Sequence, residues 1–258
     1  MCLSDMLKNR NLPHKCSQTI SFRLKPVNPV KKNFVSEIYY HPKLEQKFHS
    51  IKPKAYVDLS YCHLIDHDMS MIFKHIIINK QCIELNLSGN HITSQGIAIL
   101  AFRLPNNLTL RNLNLSHNRI NDTGVYLLSE VLLPKHSVYL EKLYLSKNGI
   151  SNDGIRYLSK MLKVNDKLTE LQLANNEIGD EGVRQLANIL IDYNTTLKVL
   201  NLSNNIFITD SSLDYLLELL EYNQTLTKLS IKGCNLSEKA KIKLQLQADG
   251  KKNFELEI

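Results

Sequence analysis

The chain has 258 residues, 43% of them apolar, and carries 32 Lys/Arg against 25 Asp/Glu for a formal charge of +7. This suffices for one well-buried core, and no apolar run of about eighteen residues is present that could span a membrane as a helix. Five cysteines (Cys2, Cys16, Cys62, Cys82 and Cys234) form an odd set without a CxxC pair, which argues against a disulfide framework or a zinc site.

The N-terminal stretch MCLSDMLKNRNLPHKC lacks the apolar centre of a secretory signal, so a cytoplasmic location is expected, with nuclear or ciliary placement open. Residues 1–56 hold eleven Lys/Arg and three Asp/Glu, whereas residues 57–258 hold twenty-one and twenty-two. The basic character therefore belongs to the N-terminal segment. Residues 1–33, with Pro13, Pro26 and Pro29, show no periodicity and read as irregular. Residues 34–53 carry Phe34, Val35, Ile38, Tyr39, Leu44, Phe48 and Ile51 at partly helical spacing, broken by Pro42. They are expected to cap the body that follows, making residues 1–53 one unit and 54–258 another. Lys25, Lys31, Lys32, Lys43, Lys47, Lys52 and Lys54 are dispersed instead of forming one stripe, which favours a solvated cap over a nucleic-acid or membrane contact.

From residue 57 onward one unit recurs. Its first half alternates apolar and polar residues, as Val57, Leu59, Cys62 and Leu64 do. The same columns return as Leu85, Leu87, Asn90, Ile92 and as Leu113, Leu115, Asn118, Ile120. They continue as Leu143, Leu145, Asn148, Ile150, as Leu171, Leu173, Asn176, Ile178, as Leu200, Leu202, Asn205, Phe207, and as Leu229, Ile231, Cys234, Leu236. From one Asn/Cys marker to the next the steps are 28, 28, 30, 28, 29 and 29 residues. The second half of each unit has helical spacing, with Leu100, Leu128, Leu158, Leu186 and Leu216 followed one turn later by Leu104, Leu132, Leu162, Leu190 and Leu220. A single strand and helix of this size cannot bury its own apolar face, so the units must stack. The closing FELEI reads as a last strand without a helix.

The polar columns have physical roles as well. An asparagine where the chain leaves the strand can donate and accept at once, and stacked copies would form a ladder of bonds. Cys62 and Cys234 replace it in the outermost units and Cys82 holds an apolar position, so all three read as structural. Asp66, Ser94, Asp122, Asn152, Asp180 and Asp210 read as caps of their own helices. Gly96, Gly124, Gly154 and Gly182 permit close approach of the neighbouring coil.

The pattern LxxLxLxxNxIxxxGxxxLxxxL resembles that of leucine-rich repeats, and the long period makes it similar to the ribonuclease-inhibitor-like subfamily. The resemblance covers residues 54–258. It implies an α/β leucine-rich repeat horseshoe, a right-handed solenoid with a parallel sheet on the concave face and helices on the convex face. It also implies binding through the concave sheet or its edge loops. The subfamily includes recognition halves of NOD-like receptors, Ran GTPase-activating protein and ciliary or axonemal scaffolds, and fold alone does not choose among these.

No phosphate-binding, dinucleotide-binding, zinc-protease, nucleophile-elbow or EF-hand signature occurs, so neither catalysis nor a cofactor is expected. The nearest approach to a metal cluster is Cys62-His63-Leu64-Ile65-Asp66-His67-Asp68, where structural duties for Cys62 and Asp66 leave His63, His67 and Asp68 on a solvent-facing loop. The triplets at Asn86, Asn114, Asn201 and Asn235 fit a glycosylation pattern only because the strand consensus is NLS. Of the outward strand positions most are small and polar. The centre differs: Asn112, His117, Lys142, Tyr144, Lys147, Glu170 and Gln172 combine a tyrosine with long charged side chains, the composition of an interface anchor. The expected function is a non-enzymatic protein-binding module or scaffold. A GTPase activator and a ciliary or cytoskeletal scaffold stand as alternatives.

Overall fold

The computed structural model describes residues 42–105, 107–136 and 138–258. The expectations for residues 1–33 and for Phe34, Val35, Ile38 and Tyr39 lie outside these residues. Eight short strands form one parallel sheet in the order β1 to β8: Tyr56–Asp58, Glu84–Asn86, Asn112–Asn114, Lys142–Tyr144, Glu170–Gln172, Val199–Asn201, Lys228–Ser230 and Glu255–Glu257. In β1 to β7 the central residue points inward and is buried, as expected of a sheet with one covered face. Helices alternate with the strands: α1 (Pro42–Ser50), α2 (Asp68–Ile72), α3 (Ser94–Arg103), α4 (Asn121–Val131), α5 (Asn152–Leu162), α6 (Asp180–Asp192), α7 (Leu213–Tyr222) and α8 (Glu238–Asp249). Successive helices from α3 to α8 pack side by side, behind a sheet whose neighbouring strands pair in register. This is the leucine-rich repeat horseshoe, with the sheet concave and the helices convex.

The two leucine columns of the helices and the strand columns meet in one core, where Leu143, Leu158, Leu171 and Leu186 are essentially inaccessible to solvent. Each such side chain contributes about 1.5–3 kcal/mol by leaving water. At the N-terminal end, Leu44 and Phe48 of α1 belong to the same core, and the Phe48 ring stacks on His75 at 5.2 Å. Pro42 begins α1, as suits the first helical position, where no N–H is needed. After α2 the helix widens into a π-helical stretch, Phe73–Asn79, before the chain returns to β2.

The asparagine ladder forms as the columns imply. Asn90 Oδ1 accepts from the backbone N–H groups of Cys62 and Leu64, both at 3.0 Å, in the preceding coil. Its Nδ2 donates to the Leu59 carbonyl of that coil at 3.0 Å and to its own Leu87 carbonyl at 2.8 Å. Asn118, Asn148, Asn176 and Asn205 likewise donate to a leucine carbonyl in their own coil and to one in the coil before. At the seventh coil the Cys234 thiol donates to the Leu202 carbonyl at 3.3 Å, but has no oxygen with which to accept.

A second ladder lies where each helix returns to the sheet. Asn165, Asn194 and Asn223 donate through Nδ2 to the Leu132, Leu162 and Leu190 carbonyls of the preceding coil, and accept from the N–H groups of Leu168, Leu197 and Leu226. In the third coil a 3-10 turn, Pro134–His136, takes this place and accounts for the 30-residue step.

The aspartate column acts across coils and not within them, which corrects the capping assignment. Asp66 accepts from the N–H groups of Thr93 and Gly96 and from the Thr93 hydroxyl, all in the next coil. Asp122 binds the Ser151 N–H and hydroxyl, Asn152 the N–H groups of Gly179 and Gly182, Asp180 the Thr209 N–H and hydroxyl and the Ser212 hydroxyl, and Asp210 the Ser237 N–H. The caps within the coils are Thr93, Ser151, Thr209 and Ser237, one residue earlier. The glycine column follows from this: a Cβ at Gly96 would lie 2.5 Å from Asp66 Oδ1, and one at Gly182 would lie 2.7 Å from Asn152 Oδ1. Ser94 makes no such bond, and Asn121 in the next coil turns left-handed at φ 54°.

The sixth coil carries a further correction. Ile208, not Phe207, occupies the buried position after the asparagine; the one-residue insertion leaves Ile206 and Phe207 exposed. Leu171→Ala, which empties a fully buried site between coils, should cost about 2–5 kcal/mol in urea melts; a loss below about 0.5 kcal/mol would contradict this packing.

Candidate partner-binding face

The strand face is shaped by what its side chains do locally. At the end of each strand, Asp58, Asn86, Asn114 and Asn201 turn back to accept from the N–H two residues on, at 2.9–3.0 Å. Ser230 is buried and shares a hydrogen bond with Ser203 Oγ at 2.6 Å. Tyr144 and Gln172 hold the same column but lack that turn, so their side chains project over the sheet.

Glu170 ties the centre together. Gln172 Nε2 donates to its Oε1 at 3.0 Å, and Lys142 Nζ lies 3.6 Å from its Oε2. In-register pairing sets Asn112, Lys142 and Glu170 in one row and Asn114, Tyr144 and Gln172 in the next. Burial pushes the Tyr144 phenol up from its ordinary value of 10.0 to about 12, assisted by the charge of Glu170, by its hydrogen bond to Glu170, and by the charge of Glu84. Asn112, Lys142, Tyr144, Glu170 and Gln172 are thus brought together, with the Lys142 charge largely balanced on the face.

His117 and Lys147 lie apart from this network, on the rim. They belong to a column of left-handed residues that also includes Tyr61, Gly89, Asn175, Asn204 and Gly233, with φ between 51° and 72°. Lys147 borders a polar groove with Arg119, Asn121, Gly149 and Glu177. Tyr56 and Glu84, which composition did not single out, flank a separate hollow shared with Tyr144. Their strand positions alone mark both as outward-facing; what joins them to Tyr144 is the in-register stacking of β1 to β4.

The Cys-His-Asp stretch is arranged otherwise than the sequence suggests. Asp68 is fully buried at the start of α2, where its Oδ2 accepts from the Ile65 N–H at 2.8 Å, so it does not face solvent with His63 and His67. Among the described residues no three His, Cys, Asp or Glu side chains are placed to hold a metal ion. Among the described residues Cys82 and Cys234 are buried free thiols, and burial raises them to about 12 and about 11. No described helix is long and apolar enough to cross a membrane.

A right-handed solenoid whose coils are joined by buried asparagines, with an open parallel sheet on one side, is a class of protein built to present a surface. The leucine-rich repeat family model matches residues 82–101, 106–129, 136–159, 164–187, 193–217 and 222–239, and the chain belongs to that family, in its ribonuclease-inhibitor-like form. It is 35% identical over 186 residues to human NACHT, LRR and PYD domains-containing protein 14, covering 72% of this chain and 14% of that protein. It is 33% identical over 185 residues to bovine NACHT, LRR and PYD domains-containing protein 3, covering 70% and 18%. Pig ribonuclease inhibitor is 33% identical over 140 residues, covering 54% of this chain and 30% of the inhibitor. The chain thus spans less than a third of each of these relatives. Repeats of this family make a protein-interaction module.

Because the folded-state value of the Tyr144 phenol lies above the ordinary one, its contribution to stability is intact below about pH 10 and is lost as pH rises toward 12. Ultraviolet titration of wild type minus Tyr144→Phe should show a phenol ionising near pH 12, with Glu170→Gln moving it part of the way back. Ionisation near pH 10 in wild type would contradict the arrangement.

Proposed function

We propose that this chain is a non-enzymatic, cytoplasmic scaffold that holds a protein partner on its strand face, with Asn112, His117, Lys142, Tyr144, Lys147, Glu170 and Gln172 at the contact. The observation that carries this reading is the lapse of the local turn bonds at Tyr144 and Gln172, next to the Glu170 network. Elsewhere on the face the strand-end amides are spent on their own backbone. Here a tyrosine and three long polar chains are held in one arrangement before any partner arrives, which lowers the ordering cost of binding. A half-buried tyrosine amid satisfied polar groups is the kind of anchor that dominates interfaces. The free thiols of Cys82 and Cys234 suit a reducing compartment. The relative named as a ribonuclease inhibitor supports a binding role in which the protein acts by occupying a partner.

Affinity capture from cytosol, followed by mass spectrometry, checks this. A partner held by wild type should be lost with Tyr144→Ala combined with Lys142→Glu. It should be retained with Arg184→Glu on the helix side, and both variants should melt near the wild-type temperature. Equal recovery with the strand-face variant would move the contact to another surface.

A further inference from the structure

The hollow beside the Glu170 network has a different electrostatic character. It holds about 190 Å³ and is lined by Tyr56, Glu84, Asn86, Asn112, Asn114 and Tyr144. In-register pairing sets Glu84 directly between Tyr56 and Asn112, so the carboxylate stands on the floor between two tyrosines. Tyr56 at one end is largely exposed, and its hydroxyl accepts from Asn86 Nδ2 at 3.4 Å. Tyr144 closes the other end on β4.

Elsewhere on the strands two lysines are already ion-paired. Lys142 leans on Glu170, and Lys228 Nζ is bonded to both Glu255 and Glu257. Glu84 differs from these: among the described residues no cation and no hydrogen-bond donor meets its carboxylate. The nearest lysine in its row, Lys142, is two strands away and already committed. The field of Glu84 reaches across the hollow, since its charge contributes to holding the Tyr144 phenol protonated.

An uncompensated carboxylate between two phenol rings suits one kind of guest. A guanidinium or ammonium gains the ion pair with Glu84 and the attraction of the ring faces together. The planar guanidinium, being more weakly hydrated and able to stack, fits better than an ammonium. The volume is several times the ~30 Å³ a water occupies, room for one long side chain and not for a helix. We infer that the Tyr56–Glu84–Tyr144 hollow receives a cationic side chain, preferentially arginine, projecting from the protein bound on the strand face. This rests on the strand face being the binding face, and adds that the partner presents an exposed basic residue there.

The test uses the full chain, amide-resolved NMR, and three probes: the N-acetyl methylamides of arginine, lysine and glutamate. The arginine probe should give saturable shifts confined to Tyr56, Glu84, Asn112 and Tyr144, with lysine weaker and glutamate without effect. Glu84→Gln, whose spectrum away from the hollow should match wild type, should weaken the arginine probe at least about fivefold. Equal binding by Glu84→Gln, or equal shifts from all three probes, would overturn the inference. Failure here separates cleanly from failure of the scaffold reading. A captured partner that is lost with the Tyr144/Lys142 variant but kept by Glu84→Gln would overturn the cationic site alone. Arginine binding that depends on Glu84, with no partner dependent on Tyr144, would uphold the site and remove the scaffold reading.

Discussion

The buried asparagine where each of the five inner coils leaves its strand sets the terms for the rest of the molecule. A chain leaving a short strand inside a stack exposes N–H and carbonyl groups where water cannot reach, and each such group left unpaired costs about 1–3 kcal/mol. Asn90, Asn118, Asn148, Asn176 and Asn205 settle this by bonding their own coil and the coil before at the same time. Only a side chain with both a carbonyl oxygen and an NH₂ group can do so. The leucines supply most of the burial energy, but apolar contacts are non-directional. The asparagines fix the register at which one coil lies on the next, and the aspartate column repeats this at the helix starts.

That division of labour leaves the strand face available. With the stack held by buried bonds between coils, outward side chains carry little structural duty, and those that do are the short Asp and Asn residues closing local turns. The centre departs from this rule at Tyr144 and Gln172. It carries a satisfied network around Glu170 and, beside it, an unsatisfied carboxylate at Glu84. In the proposed reading the first is a preordered anchor for a partner and the second a demand for opposite charge. Shape and charge together give a face a preference among partners, and neither depends on how the remaining solvent-facing positions are filled.

The fold was readable from the chain because its period is long, regular and marked by residues with few substitutes. The departures were readable only in part. Steps of 29 and 30 residues announce insertions, but not where they fall. The extra residue near Asn205 moved the buried position from Phe207 to Ile208, because both are apolar and only packing tells them apart. The capping column is misread for a related reason: Ser94, Asn152 and Asp210 sit one residue beyond the caps Thr93, Ser151 and Thr209, and sequence spacing does not reveal that the Asp66 carboxylate reaches 27 residues onward to Thr93. The second asparagine column is not legible in the sequence, because Asn165, Asn194 and Asn223 look like ordinary loop residues apart from their carbonyl partners. For the candidate site, the cluster around Tyr144 was visible as composition. The link to Tyr56 and Glu84 was not, since it requires the in-register alignment of four strands.

The central claim is that buried asparagines couple neighbouring coils and are not merely local turn residues. Native-state hydrogen exchange on Asn118→Ala tests it most directly, since Asn118 accepts from the Ile92 N–H and donates to the Leu87 carbonyl of the coil before. The account predicts that amides of both adjoining coils, including Leu87, Ile92, Leu115 and Ile120, lose protection together by about tenfold or more, the size implied by orphaning buried groups. Loss confined to the Ile92 amide, with the other three at wild-type protection, would contradict it.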